Sequence, residues 1–235
     1  MSAATTTSTE GPVQEKKPWW ALIAILLGVS LIVLEGSIVN VLIPTIVQDL
    51  SINRTDVLWI TSIYSLIFAA LLITFGVLSD RIGRKRMFMM GTVVFIVFNT
   101  LAGASTSANM LILARAGEAV GGAMMLPTSM AIINVNFKGP MRAAAFGLWG
   151  AVFGGMAAFG PQLGGWLAEV ASWRWAFYIN IPLGIASLIM VKIFITESKG
   201  VDRRGLDWSG VLLSSLGLGL VGCGRIEGQS GGWWT

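Results

Sequence analysis

Seven apolar runs, each near the roughly 20 residues a helix needs to cross a bilayer, follow one another along the chain with short polar stretches between them. They lie at approximately 19–44, 58–78, 87–104, 110–133, 144–168, 175–195 and 208–224. Lipid offers no hydrogen-bond partner to a backbone outside a helix or a closed barrel. Runs of this length therefore predict an all-α polytopic membrane protein, and strands are not expected. The first run is too long for a signal-peptide core and has no A-x-A pattern after it, so it is read as a span. Composition agrees: 12% of residues are charged, about half the share in an ordinary soluble domain. The 29 glycines fit helices that pack through small residues.

Basic residues set the expected orientation, because short cytoplasmic loops carry an excess of Lys and Arg. With the N-terminus inside, the inner loops hold Lys16, Lys17, Arg81, Arg84, Lys85, Arg86, Lys138, Arg142, Lys192, Lys199, Arg203 and Arg204. The outer loops hold only Arg54, Arg174 and Arg225. The net charge of +4 is thus read as orientation, and no nucleic-acid partner is expected because the basic residues form no aromatic-interleaved patch. Residues 1–18 read as a disordered cytoplasmic tail, 19–195 as a six-span bundle and 196–207 as a cytoplasmic linker. Residues 208–224 read as a seventh span and 225–235 as an extracytoplasmic end. An odd span with an open, Gly- and Trp-rich end is expected of a piece of a longer membrane protein.

With no histidine and Cys223 as the one cysteine, a disulfide within the chain, a Cys/His metal site and a Ser-His-Asp triad are excluded. No P-loop sequence is present, and the G-x-G-x-x-G at 217–222 lies inside an apolar run, where it reads as packing glycine. An enzyme is not expected.

Three ionisable residues stand inside spans: Glu35, Arg115 and Glu118. Charge at membrane depth costs a few kcal/mol per residue on insertion scales and marks a pathway, a relay or a pair. Glu35 lies nine residues before Pro44, about 13 Å from the outer end of span 1. Span 4 runs the opposite way, which puts Arg115 about 8 Å deep and Glu118 about 12 Å deep. Arg115 and Glu118 share a helix face at i and i+3. Burial favours the protonated form of a carboxyl and a neighbouring cation favours the ionised form. Two carboxylates meeting one guanidinium in a central cavity would therefore form a proton-coupling site, or alternatively an ion pair that only fixes packing.

Other features weigh less. Gly147, Gly150, Gly154 and Gly155 lie at helical spacing in span 5, with Gly160, Pro161, Gly164 and Gly165 after them; small residues let helices touch and Pro161 bends the helix. Trp173, Arg174, Trp175, Phe177 and Tyr178 read as an interfacial belt, and the eleven methionines as core filling.

Six stretches resemble motifs of the major facilitator superfamily, in the order of its spans. GVLSDRIGRKR at 76–86 resembles its loop between spans 2 and 3, LILARAGEAVGGA at 111–123 its span-4 pattern, and FGGMAAFGPQLGG at 153–165 the GPxxGG element of its antiporters. LEGSIVNVLIP at 34–44, with WRWAFYINIPLG at 173–184 and LDWSGVLL at 206–213, is similar to the fourteen-span drug:proton antiporter branch. The chain departs from that branch in having Glu35 for Asp, Glu118 for Gln, and Met156 for the first glycine of the span-5 pattern.

The resemblance implies a six-helix N-terminal bundle of 3+3 inverted-repeat type plus a seventh span, with a C-terminal half missing from this piece. It implies proton-coupled export of drugs or other small organic compounds, cationic or lipophilic, across a bacterial cytoplasmic membrane, with the N-terminus cytoplasmic. The proton gradient would supply the energy and no cofactor would be needed. Glu35 and Arg115 are the implied coupling residues, to which the reading of charges inside spans adds Glu118. Gly76, Asp80, Arg81, Gly83 and Arg84 form the implied gating loop, and Gly155, Gly160, Pro161, Gly164 and Gly165 the antiporter motif. A metabolite importer on the same fold, a scaffold or sensor that does not transport, and an inactive half stay open as alternatives.

Overall fold

The computed structural model describes residues 18–200 together with residues 217 and 224. Of the expected tail at 1–18, Pro18 is the first residue of α1 and the rest lies outside the described residues, as do the linker beyond residue 200, the end at 225–235 and the seventh span apart from residues 217 and 224. The described chain is helical throughout, with α1 Pro18–Leu50, α2 Arg54–Ile82, α3 Arg84–Gly103, α4 Ala108–Asn136 and α5 Gly139–Val170. The sixth span is split into α6 Trp175–Tyr178 and α7 Asn180–Phe194. Among the described residues, six helical segments are long and apolar enough to cross a membrane.

The helices overrun the apolar runs, and α1, with 33 residues, is about 50 Å long against a hydrocarbon core of about 30 Å. Apolar length reports bilayer thickness, whereas a helix continues until its end groups find partners. Hence α1 does not stop at Pro44 but runs through it to Leu50, and the chain turns at Ser51, with φ 50°. Asn53 then opens α2 with a capping box: its side chain accepts from the Asp56 backbone N–H at 2.9 Å, and the Asp56 carboxylate accepts from the Asn53 N–H at 3.1 Å.

The charged stretch at 76–86 is likewise mostly helix. Its turn is a single residue, Gly83, with φ +118°, a backbone region open to glycine and strained for other residues. Gly76 belongs to the packed body of α2, where a Cβ would meet the Pro127 ring of α4 at 3.5 Å.

Packing follows a reciprocal rule. Helix α1 lies against α5 and α7, α4 lies against α2 and α3, and α1 meets α4 across the middle. The first helix of each three-helix half thus packs on the second and third helices of the other half, and α1 and α4 become the most buried. The tightest crossing joins α3 to α4. A Cβ at Gly121 would stand 2.7 Å from the Phe95 nitrogen and 2.8 Å from the Gly91 carbonyl oxygen.

The apolar interior has two parts. One, around Leu22, Ile25, Phe88, Phe95 and Met125, reaches Val33 and Tyr64. The other, around Leu42, Ile46, Leu111 and Phe177, begins at Ile38, Ile60 and Ala114. Glu35 on α1 and Arg115 on α4 fall at the junction between them.

Gly147, Gly150, Gly154 and Gly155 do not join helices: a Cβ on any of them would meet nothing within 4 Å among the described residues. Gly160 and Gly164 do, lying against Ser37 and Ile38 of α1. The sequence pattern is the same for both groups, and only the direction each faces separates them.

Candidate functional site

The site is built on the two most buried helices. Glu35 and Glu118 are 0% exposed and Arg115 is 2% exposed. Arg115 Nη1 donates to Glu35 Oε1 at 2.6 Å and to Glu118 Oε2 at 3.1 Å. Its Nε donates to the Ile60 carbonyl at 3.5 Å, and its guanidinium lies over the Tyr64 ring, 4.6 Å from the centroid. The three charged residues therefore meet, as their depths predict, inside the six-helix bundle and screened from solvent. In so dry a place the attraction is strong, but two anions share one cation and the desolvation cost is high.

Three neighbours extend the cluster beyond what sequence reasoning identified. Asn180, the first residue of α7, donates from Nδ2 to Glu35 Oε2 at 3.1 Å and to Asn99 Oδ1 of α3 at 2.7 Å. Tyr64 supplies an aromatic face to the guanidinium and directs its hydroxyl toward the Ile32 carbonyl at 3.5 Å. The signal was present: amides inside apolar runs need partners in lipid, and Tyr64 is one of only two tyrosines. Two buried side-chain oxygens in the cluster, Glu118 Oε1 and Asn180 Oδ1, have no partner among the described residues.

The charged turn forms a second polar site at one end of the bundle. Arg84 donates to Asp80 Oδ1 from Nε at 2.9 Å and from Nη2 at 2.7 Å. Helix α3 opens with Arg84, Lys85 and Arg86 and has no acidic residue in its first turn, which is unfavourable for the positive end of a helix dipole. The missing acid comes from beyond α7. The Glu197 carboxylate accepts from the backbone N–H groups of Lys85 at 3.0 Å and Arg86 at 3.1 Å. A Cβ on Gly83 would sit 2.5 Å from Glu197 Oε1. The Gly200 N–H donates to the Asp80 carbonyl at 2.9 Å and the Arg84 N–H to the Ser198 carbonyl at 3.0 Å. Residues 197–200 are thereby strapped across the turn.

The opposite end holds a clamp that corrects the belt expected at residues 173–178. Trp173 is buried and donates from Nε1 to Asp49 Oδ2 at 3.0 Å. Arg174 pairs with the same oxygen at 2.6 Å and donates to the Ser105 carbonyl at 3.1 Å. Asp49 gives these donors a fixed partner, so two of the five residues join helix ends, while Trp175 stays exposed. Of the span-5 motif, Gly160 and Gly164 pack on α1, a Cβ on Gly165 would meet Val41 at 3.8 Å, Pro161 lies within the unbroken α5, and Gly155 is open.

Comparison with known proteins gives this architecture a family. A family model described as Major Facilitator Superfamily matches residues 25–223. The puromycin resistance protein pur8 of Streptomyces alboniger is 36% identical over 94% of this chain and 44% of its own length. The tetracenomycin C resistance and export protein of Streptomyces glaucescens is 34% identical over 92% of this chain and 40% of its own. The chain thus spans less than half the length of these curated relatives. The crystal structure of a bacterial homolog to the human lysosomal transporter Spinster, inward-facing and occupied, superposes with a TM-score of 0.66 at 21% identity. It covers 78% of this chain and 45% of that one, a likeness of fold. With a family model covering most of its length and six membrane-length helices in the matching arrangement, the chain belongs to the major facilitator superfamily.

Proposed function

We propose that this chain forms the N-terminal part of a secondary transporter that exports small organic compounds in exchange for protons across a bacterial plasma membrane, with its N-terminus cytoplasmic. The observation that carries this reading is the buried Glu35–Arg115–Glu118 cluster. A membrane protein that only needed stability would gain as much from apolar packing at that point, whereas a carrier coupled to protons needs titratable groups away from bulk water. Two relatives named for resistance, one of them also for export, support small organic cargo. In this reading the two bundles of the carrier rock about the cargo, the proton state of the cluster biases which side is open, and the Asp80–Arg84 turn latches one of the two arrangements.

The test is dye efflux from cells expressing the reading frame that carries this chain, with and without a proton uncoupler. Efflux that collapses with the uncoupler is expected. Glu35→Gln leaves Arg115 and Glu118 as a balanced one-to-one pair, so the protein should insert at the normal level yet lose all transport driven by a pH gradient. Normal pH-driven transport by that variant would remove the cluster from the coupling mechanism.

Asp80→Asn tests the latch separately. An amide keeps a hydrogen bond to Arg84 but loses the charge; the Asp80 side chain is 45% exposed, so about 1 kcal/mol at most is involved, roughly a fivefold shift between the two arrangements. Transport should fall by about that factor with topology unaltered, as read by cysteine accessibility from either side of the membrane. Unchanged efflux would reduce the turn to a topology signal.

A further inference from the structure

Arg115 is the only cation among the buried residues described, and two carboxylates share it. The groups facing Glu118 across the cluster are Glu35 of α1, Tyr64 of α2 and Arg115 of its own helix, with the amides of Asn99 on α3 and Asn180 on α7 behind Glu35. None supplies a second positive charge. With both carboxyls ionised, the cluster would carry one uncompensated negative charge in a site with no exposure to water.

The two carboxyls are not equivalent. Glu35 is held at both oxygens, Oε1 by the guanidinium and Oε2 by the Asn180 amide, each as an acceptor at 2.6–3.1 Å. Glu118 shares the same Arg115 nitrogen at the longer distance, and its second oxygen is buried with no donor among the described residues. Donors on both oxygens favour an anion, whereas an acceptor left without one is costly.

We propose that Glu118 is the proton-binding site of the cluster, carrying one proton on Oε1 in the arrangement described here, while Glu35 is the fixed anion that Arg115 and Asn180 hold in place. Asn180 is a positioning residue: it presets Glu35 as the acceptor and leaves Glu118 as the exchangeable group. On release the O–H bond of Glu118 breaks, the electron pair stays on the carboxylate, and the proton passes to water once the bundle opens. Arg115 then turns toward Glu118 to balance the new charge. The position occupied by Gln in the branch this chain resembles is thereby given the proton, in place of the acid on α1.

Assigning the proton to Glu118 takes its meaning from the coupling role proposed above, but occupancy can be read without transport. The probe is the infrared C=O stretch of a protonated carboxylic acid, recorded at neutral pH on the purified product of the same reading frame in lipid nanodiscs. A band is expected in the unaltered protein, in sodium and in choline buffer alike, and it should be lost in Glu118→Gln. Aspartic and glutamic acids absorb at different positions, so Glu118→Asp, which keeps the charge count, should move the band while Glu35→Asp leaves it in place. Asn180→Leu, by freeing Glu35 Oε2, should split it between two positions. A band that moves with Glu35→Asp and not with Glu118→Asp would overturn the assignment. So would the lack of any band, or a band seen only without sodium, which would make a metal cation the balancing charge. A protein that shows the band on Glu118 but exports nothing in the dye assay would refute the coupling role alone.

Discussion

Arg115→Gln is expected to be the most damaging single change in the chain. It removes the one charge that holds Glu35 and Glu118 in the bundle interior, together with the contacts to the Ile60 carbonyl and the Tyr64 face. Taking one partner from a buried ion pair costs about 3–5 kcal/mol, and here the Glu35 anion would be left in the bundle interior with the Asn180 amide as its remaining donor. Thermal unfolding of the purified protein should therefore shift down by many degrees at pH 7.5, and transport should vanish. Glu35 can take up a proton, so the deficit relative to the unaltered protein should shrink as pH falls, because that proton then replaces the guanidinium. A deficit that does not change with pH would mean that Arg115 matters for its shape and not for its charge. Arg115→Lys should be only a partial rescue. One ammonium is a point donor without the planar fork that reaches both carboxylates and a carbonyl at once.

The second large effect is expected at Gly121, three residues after Glu118 on α4. The groups nearest a Cβ there are backbone atoms of α3, the Phe95 nitrogen and the Gly91 oxygen. A flexible side chain could move aside, but a helix backbone moves only as a whole. Gly121→Ala should cost about 1–3 kcal/mol despite the better helix propensity of alanine, and Gly121→Val should prevent α3 and α4 from packing. The measure is resistance to protease of the membrane-embedded protein and its recovery as a single species on size exclusion. Gly150→Ala is the control: it meets nothing within 4 Å, so it should leave stability unchanged or raise it slightly. Equal behaviour of the alanine variants at 121 and 150 would disprove the close crossing.

These two sites show how differently sequence constrains fold and site. Membrane length and loop charge are one-dimensional quantities, and lipid forces every spanning segment into a helix that satisfies its own backbone. Six spans and the similar depth of Glu35, Arg115 and Glu118 followed from counting residues along helices of known rise. Counting could not say which way a glycine faces. Gly150 and Gly160 occur in the same apolar helix, yet one is open and the other lies on Ser37 of α1.

The sequence by itself determined that this chain is a polytopic helical membrane protein, that its ends differ in charge, and that three ionisable groups lie at one depth. Each depends on local chemistry and on distance along a helix axis. Tertiary structure alone decided that Asn180 and Asn99 complete the cluster, that Glu197 caps α3 across more than a hundred residues of chain, and that Trp173 and Arg174 clamp Asp49. Those partners come from helices distant in sequence, and their pairing depends on the rotation and crossing of whole helices, which no local pattern encodes. The same packing separates the two carboxylates by role, because it gives Glu35 a donor on each oxygen and leaves Glu118 with one oxygen empty.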